Sequence, residues 1–285
     1  MEAYRAEKRS TRRARVARTL CLVLVGASLL GMRSTDQVTI RRDLVYKSTD
    51  SGSLTLDTYR LRGRRGMSVL ILIHGGSWRR GDKSDWDGQA RRFARAGFLV
   101  VAPNYRLAPP GGNTIFPGHL TDLRRSLEWA RRNARDYRGD PRRVGMIGAS
   151  AGAHLTLLKA ASDRDRPEAV ALYSPPVDLR RLYRQDVIAD SIRAFLACPP
   201  ADCPETYRRA SGLERLDRGT SPVFLAYSRN EILPAAQGRA LDRRLDRVGV
   251  THKVRELPGA AHGLKVGEKV MDQTIRFMQR RLAAR

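Results

Sequence analysis

The sequence predicts an α/β fold: a mostly parallel central sheet with helices on both faces and a small helical cap. Three observations predict it. Short, continuously apolar runs such as Ser68-Val-Leu-Ile-Leu-Ile73 and Phe98-Leu-Val-Val-Ala102 fit strands buried on both faces, as parallel strands are. Amphipathic stretches alternate with those runs, and alternation of this kind lays helices over a sheet. A Gly-rich turn, Gly148-Ala-Ser150-Ala-Gly152, stands between one such run and one such helix. With 285 residues and 41% hydrophobic content, the chain suffices for one large domain with its own core.

Residues 1–35 are set apart from that domain. The first 18 are dense in Arg and Lys, and Thr19 to Met32 then carry no charge. The uncharged run is shorter than the about 20 residues a spanning helix needs. A basic segment followed by an apolar core of roughly 7–15 residues has the shape of a signal peptide. An uncleaved membrane anchor and a buried first helix are the alternatives. The protein is therefore expected to be exported, to the medium or the cell envelope, or anchored to the membrane, with its folded domain at 36–285.

Within that domain the elements follow in order. Val38 to Lys47 and Leu54 to Leu61 alternate in polarity and read as a hairpin around Asp50-Ser51-Gly52. The apolar run to Ile73 is the first buried strand. Trp86 to Ala96 is an amphipathic helix stopped by Gly97. After the strand ending at Ala102 comes a long helix, Leu120 to Tyr137, with apolar positions at Leu123, Leu127 and Ala130. Arg143 to Ile147 is a short strand, Ala151 to Ala161 a helix, and Ala169 to Tyr173 a strand. Val177 to Gly219 is irregular, polar and Arg-rich, and reads as an inserted cap. Pro222 to Tyr227 is a strand, Ala236 to Val248 a helix, His252 to Leu257 a strand and Val266 to Leu282 one closing helix.

The formal charge is +25, from 54 basic against 29 acidic residues, and only seven of the basic ones are Lys. Such a charge suits a polyanion partner, but the Arg residues are spread along the chain and no zinc-finger or RNA-binding pattern appears. No specific nucleic acid partner is expected, and the basic N-terminus suits a membrane or other anionic surface. Of three cysteines, Cys198 and Cys203 sit close together in a Pro-rich stretch. A loop disulfide and two inert thiols are both open. No further Cys or His lies near enough for a metal site, so no metal or cofactor is expected.

Gly148-Ala-Ser150-Ala-Gly152 matches G-x-S-x-G, and its strand-turn-helix setting is what that motif needs. The tight turn requires small flanking residues, and it puts Ser150 at a helix N-terminus whose dipole favours an anionic intermediate. Acyl transfer also needs preorganised donors for a developing oxyanion. His74-Gly-Gly-Ser-Trp78, just after a buried strand, supplies them, because glycines let backbone N–H groups approach closely. Gly75, Gly76 and Ala151 are the expected donors. His262, in the loop Pro258-Gly-Ala-Ala-His262-Gly263, is the last His of the chain, as the order Ser, acid, His demands. The acid belongs in the loop after the strand ending at Tyr227, Ser228-Arg-Asn230-Glu231-Ile-Leu-Pro234. Either Glu231 is the carboxylate or Asn230 fills the place and offers only a hydrogen bond. His119 and His252 have no such loop, and His154 should pack on the helix after Ser150.

Together His74-Gly-Gly-Ser-Trp78, Gly81-Asp82-Lys83, Asn104-Tyr105-Arg106-Leu-Ala-Pro, Phe116-Pro117, Asp122 and Gly148-Ala-Ser-Ala-Gly-Ala-His154-Leu resemble the alpha/beta hydrolases related to hormone-sensitive lipase. The likeness is strongest to the feruloyl-esterase-like (BD-FAE) branch and runs from about residue 40 to the end. It implies the α/β-hydrolase fold and cofactor-independent hydrolysis of a small carboxylic ester through an acyl-enzyme. It implies Ser150 as nucleophile, His262 as base and the 74–76 loop as oxyanion hole. Four positions depart from the pattern. Asn230 stands where the family usually has Asp, Ala226-Tyr227 replaces the usual His-Gly, and Ser77 replaces a frequent third Gly. The altered acid loop leaves open a catalytically weakened, ligand-binding protein on the same fold, and peptidase or amidase activity is a further alternative.

Overall fold

The computed structural model describes residues 37–283, apart from 51, 109–114 and 163–164. The expected signal or anchor segment lies outside the described residues. Among the described residues, no helix is long and apolar enough to cross a membrane.

Eight strands form one sheet: β1 (Val38–Thr49), β2 (Gly52–Leu61), β3 (Met67–Ile73), β4 (Leu99–Pro103), β5 (Gly139–Ala149), β6 (Ala169–Tyr173), β7 (Val223–Ser228) and β8 (His252–Leu257). Their spatial order is β1-β2-β4-β3-β5-β6-β7-β8. The β1–β2 hairpin pairs antiparallel with itself and with β4. Every pairing from β4 through to β8 is parallel. Six strands therefore end on the same side, and the loops leaving β3, β5, β7 and β8 gather there. Ligand sites of open α/β sheets lie on that side.

The apolar runs have the composition of doubly covered strands. In β3, Val69, Ile71 and Ile73 face one core and Leu70 and Leu72 the other, all fully buried. One face is covered by α2 (Gly118–Asn133), α3 (Ala151–Ala160) and α8 (Ala236–Val248), and the other by α1 (Asp87–Arg95) and α10 (Met271–Arg281).

The expected cap is four short helices between β6 and β7: α4 (Leu179–Arg184), α5 (Ala189–Leu196), α6 (Pro204–Ala210) and α7 (Gly212–Arg215). Cys198 and Cys203 form a disulfide across the α5–α6 connection. The closing helix is not continuous: α9 (Leu264–Lys269) and α10 are separated at Val270, whose φ of −112° and ψ of 11° leave the helix. Val270 is fully buried, so packing rather than a Gly or Pro marks the break.

Candidate active site

Ser150 sits between β5 and α3 with φ 53° and ψ −120°. A non-glycine residue there costs roughly 1–3 kcal/mol and persists only where its surroundings over-determine it. The surroundings do so through backbone contact. A Cβ on Gly148 would lie 2.3 Å from the Gly152 oxygen, and one on Gly152 would lie 2.2 Å from the Ile73 oxygen. Both flanking glycines are thus required by close approach. The Ser150 N–H donates to the Tyr173 carbonyl on β6 (2.8 Å), and the His154 N–H donates to the Ser150 carbonyl (3.0 Å).

The Ser150 hydroxyl lies 2.9 Å from His262 Nε2. On the other side of the ring, Nδ1 meets Glu231 Oε2 in a short hydrogen bond. A carboxylate only accepts, so Nδ1 carries the proton and Nε2 is left as an acceptor for the hydroxyl. Glu231's side chain is 2% exposed, and its second oxygen accepts from the Ser228 N–H at 3.2 Å. That second bond fixes the carboxylate. Asn230 does not join this group: it is exposed, and its backbone N–H donates to the Gly259 carbonyl, which ties the acid loop to the histidine loop. The acid loop offered both Glu231 and Asn230, and the side chain that meets the ring is that of Glu231, not that of Asn230. The Asn230 amide braces the turn, and the next residue, one methylene longer than an Asp, reaches the ring.

Gly75 and Gly76 follow β3, and Gly75 lies against Ser150. A Cβ on Gly75 would be 3.3 Å from that of Ser150, and one on Gly76 (φ 104°) would be 2.0 Å from the Arg80 oxygen. Gly75, Gly76 and Ala151 make no N–H hydrogen bond to any described residue. Ala151 follows Ser150 directly and opens a ten-residue helix, and the Gly75 backbone packs against Ser150. Ser77 and Trp78 follow with φ 55° and 61°, two consecutive left-handed residues. The loop is clamped rather than loose. Tyr105 stacks on His74 (centroids 4.2 Å apart), and its hydroxyl donates to the His74 carbonyl at 3.0 Å. Ala108 N–H holds the Trp78 carbonyl, and Arg79 and Arg80 N–H groups hold that of Gly76.

The other motifs of the resemblance form a clasp around this loop. Asn104 donates to Asp82 at 2.7 Å and accepts from the Lys83 N–H at 2.7 Å. Gly81 packs where a Cβ would meet the Gly75 oxygen at 2.6 Å. Arg106 grips the fully buried Asp122 through Nε (2.8 Å) and Nη2 (3.0 Å), fastening the strap after β4 to α2. Tyr105 and Asn104 were visible in sequence only as part of a motif. Nothing in their spacing names His74 and Asp82 as their partners.

The rings of the remaining histidines have other partners than the Ser150 hydroxyl. His119 and His154 are fully buried, and burial pushes each down to about 4. His252 on β8 faces Asp242 (3.0 Å). With Asp242 and Asp246 it makes the metal-compatible grouping found among the described residues, an arrangement common on surfaces without an ion and sharing no residue with the Ser150 site.

The BD-FAE family model matches residues 56–245. Among curated relatives, the esterase LipQ of Mycobacterium tuberculosis is 28% identical over 230 residues, covering 75% of this chain and 54% of that protein. A probable carboxylic ester hydrolase of the same organism, LipM, is 30% identical over 217 residues, covering 68% and 48%. The chain spans about half the length of these relatives. Among solved structures, a truncated carbohydrate esterase from gut microbiota superposes with a TM-score of 0.74 at 19% identity, over 88% of this chain and 99% of the other. A Thermogutta terrifontis esterase with butyrate bound gives 0.71 at 22% identity, over 87% and 96%. With the strand order above, these neighbours give the chain the α/β-hydrolase fold.

Proposed function

The chain belongs to the BD-FAE family, and from that premise we propose that it is a carboxylic ester hydrolase acting through a serine acyl-enzyme. The observation that carries the reading is the continuous relay from the Ser150 hydroxyl through His262 to Glu231. The names of its relatives, esterase and probable carboxylic ester hydrolase, support it. Ser150 Oγ attacks the ester carbonyl as His262 Nε2 takes its proton. The tetrahedral oxyanion is held by the N–H groups of Gly75, Gly76 and Ala151. Glu231 holds the ring in the required tautomer and stabilises the imidazolium. His262 returns the proton to the leaving alcohol, and water, deprotonated by the same ring, then releases the acid.

The test is turnover of p-nitrophenyl acetate by purified protein lacking residues 1–35. Ser150→Ala is expected to abolish it, and unchanged cleavage in that variant overturns the assignment. A matched anilide separates ester from amide hydrolysis. The altered acid loop motivates a weakened, ligand-binding alternative, and the Glu231–His262 bond supports the hydrolase reading over it.

Export or membrane anchoring through residues 1–35 belongs to the same reading. The Cys198–Cys203 disulfide supports it, because structural disulfides persist in oxidising compartments. Cell fractionation tests it, and recovery of full-length protein in the cytosol contradicts it.

A further inference from the structure

The His154 ring is fully buried four residues past the nucleophile, and the reaction proposed above makes no use of it. Its two nitrogens have partners of opposite kind. Nδ1 lies 3.2 Å from Trp78 Nε1, and Nε2 lies 2.7 Å from the Ala210 carbonyl at the end of α6. An indole N–H only donates and a carbonyl only accepts. The proton therefore resides on Nε2, Nδ1 is a bare acceptor, and the ring is neutral. A second proton would put two N–H groups face to face between His154 and Trp78. Burial, which holds the ring well below the ordinary imidazole range, agrees with this state.

Trp78 is the anchor of the oxyanion loop. It comes two residues after Gly76 and is the second of two consecutive left-handed residues in that loop. Such a pair is unfavourable for side-chain-bearing residues and needs outside support. The indole has it on two sides, stacked on Phe195 of the cap (centroids 4.6 Å, interplanar angle 17°) and hydrogen-bonded to His154. The same His154 donates its backbone N–H to the Ser150 carbonyl. One residue thus touches both halves of the oxyanion cradle, the Gly75–Gly76 loop through Trp78 and the Ser150–Ala151 turn through its own main chain, and it binds the cap at Ala210.

We propose that His154 is a positioning residue for this reaction: its neutral imidazole, through Trp78, sets the distance between the Gly75–Gly76 donors and the Ser150–Ala151 turn. The proposal rests on the hydrolase reading. It concerns kcat rather than substrate binding, because the donors it places act on the oxyanion and not on the ground-state ester.

Two substitutions separate the ring's two bonds. In His154→Asn the amide oxygen stands in for Nδ1 and keeps an acceptor for Trp78. In His154→Gln the amide nitrogen stands in for Nε2 and keeps only the donor to Ala210. With p-nitrophenyl acetate, His154→Gln is expected to lower kcat by about tenfold to a hundredfold with KM within about twofold, the loss typical of a displaced oxyanion donor. His154→Asn is expected to recover most of that loss. Trp78→Phe keeps the ring over Phe195 but deletes the N–H. It is expected to match His154→Gln, and the double variant to be no worse than either single one. Thermal melts accompany each variant. The inference is overturned if Gln is as active as wild type, if Asn and Gln lose activity together in step with melting temperature, or if Trp78→Phe is silent. Should His154→Gln fail to fold, Trp78→Phe alone decides, since its predicted kcat loss does not depend on that variant. Wild-type protein without turnover overturns the hydrolase reading itself, a result distinct from these.

Discussion

The two sides of the site are built by different means. On the nucleophile side, Gly148, Gly152, Gly76 and Gly81 hold backbone against backbone at distances that leave no room for a Cβ. The position of Ser150 is thereby fixed by the sheet itself. On the acid side, one side chain reaches from an exposed turn, and the turn is held by hydrogen bonds from Arg229 to Leu257, from Asn230 to Gly259 and from Ser228 to Glu231. The difference teaches where such a site tolerates change. A backbone-built half cannot shift by a residue without breaking the sheet. A side-chain-built half can move its carboxylate one position along the chain and make up the distance with one methylene.

Four measurements test that contrast. The largest effect belongs to Glu231→Gln, which keeps the shape but no longer stabilises the imidazolium. It is expected to lower kcat by about 10⁴, as removal of the acid does in other triads, with little change in melting temperature. A loss below tenfold would mean that the acid side is not part of the machinery. Next comes Gly152→Ala, where the new methyl would meet the Ile73 and His74 oxygens at 2.2 and 2.4 Å. Overpacking of this kind costs roughly 1–3 kcal/mol, and the displaced turn is expected to lose about a hundredfold in kcat. Near-wild-type melting and turnover would show that the nucleophile side is more pliable than its contacts indicate.

The third measurement uses two of the three imidazoles buried among the described residues. His119 and His154 are held at about 4, against 6.5 for the free group. Between those values the unfolded chain binds more protons than the folded one, so stability rises with pH from 4 to 6.5 and gains nothing further from these groups above it. Urea melts at pH 4.5 and 6.5 are expected to differ by roughly a few kcal/mol, the shift being about 1.4 kcal/mol per pH unit per group. Equal midpoints contradict the neutral assignment. The smallest effect is that of Asn230→Asp. An exposed substitution stays within about 0.5 kcal/mol, roughly twofold in kcat. A tenfold gain would return the acid to position 230.

The same contrast explains what was legible in the sequence. The buried strands, the glycine elbow and the oxyanion glycines are local features, because apolar runs and close backbone approach leave marks on consecutive residues. Each strand is legible, although β5 begins at Gly139 rather than Arg143, since Gly139 pairs with Met67 and residues 140–143 fall in the register shift before Val144 pairs with Val69. The closing helix was read as one because Val270 carries no breaker residue. Asn230 and Glu231 stayed undecided for a different reason: the choice depends on which side chain turns toward a ring 31 positions away. The clasp of Asp82 on Asn104 and the Trp78–His154 bond are invisible for the same reason, joining residues 22 and 76 apart.

The central claim is that Glu231, through His262, makes Ser150 a nucleophile. It is tested most directly by following fluorophosphonate adduct formation by mass spectrometry in wild type and Glu231→Gln. A single adduct on the Ser150 peptide is expected, forming at least about a thousandfold more slowly in the variant. An adduct on another residue, or equal rates in the two proteins, would contradict it.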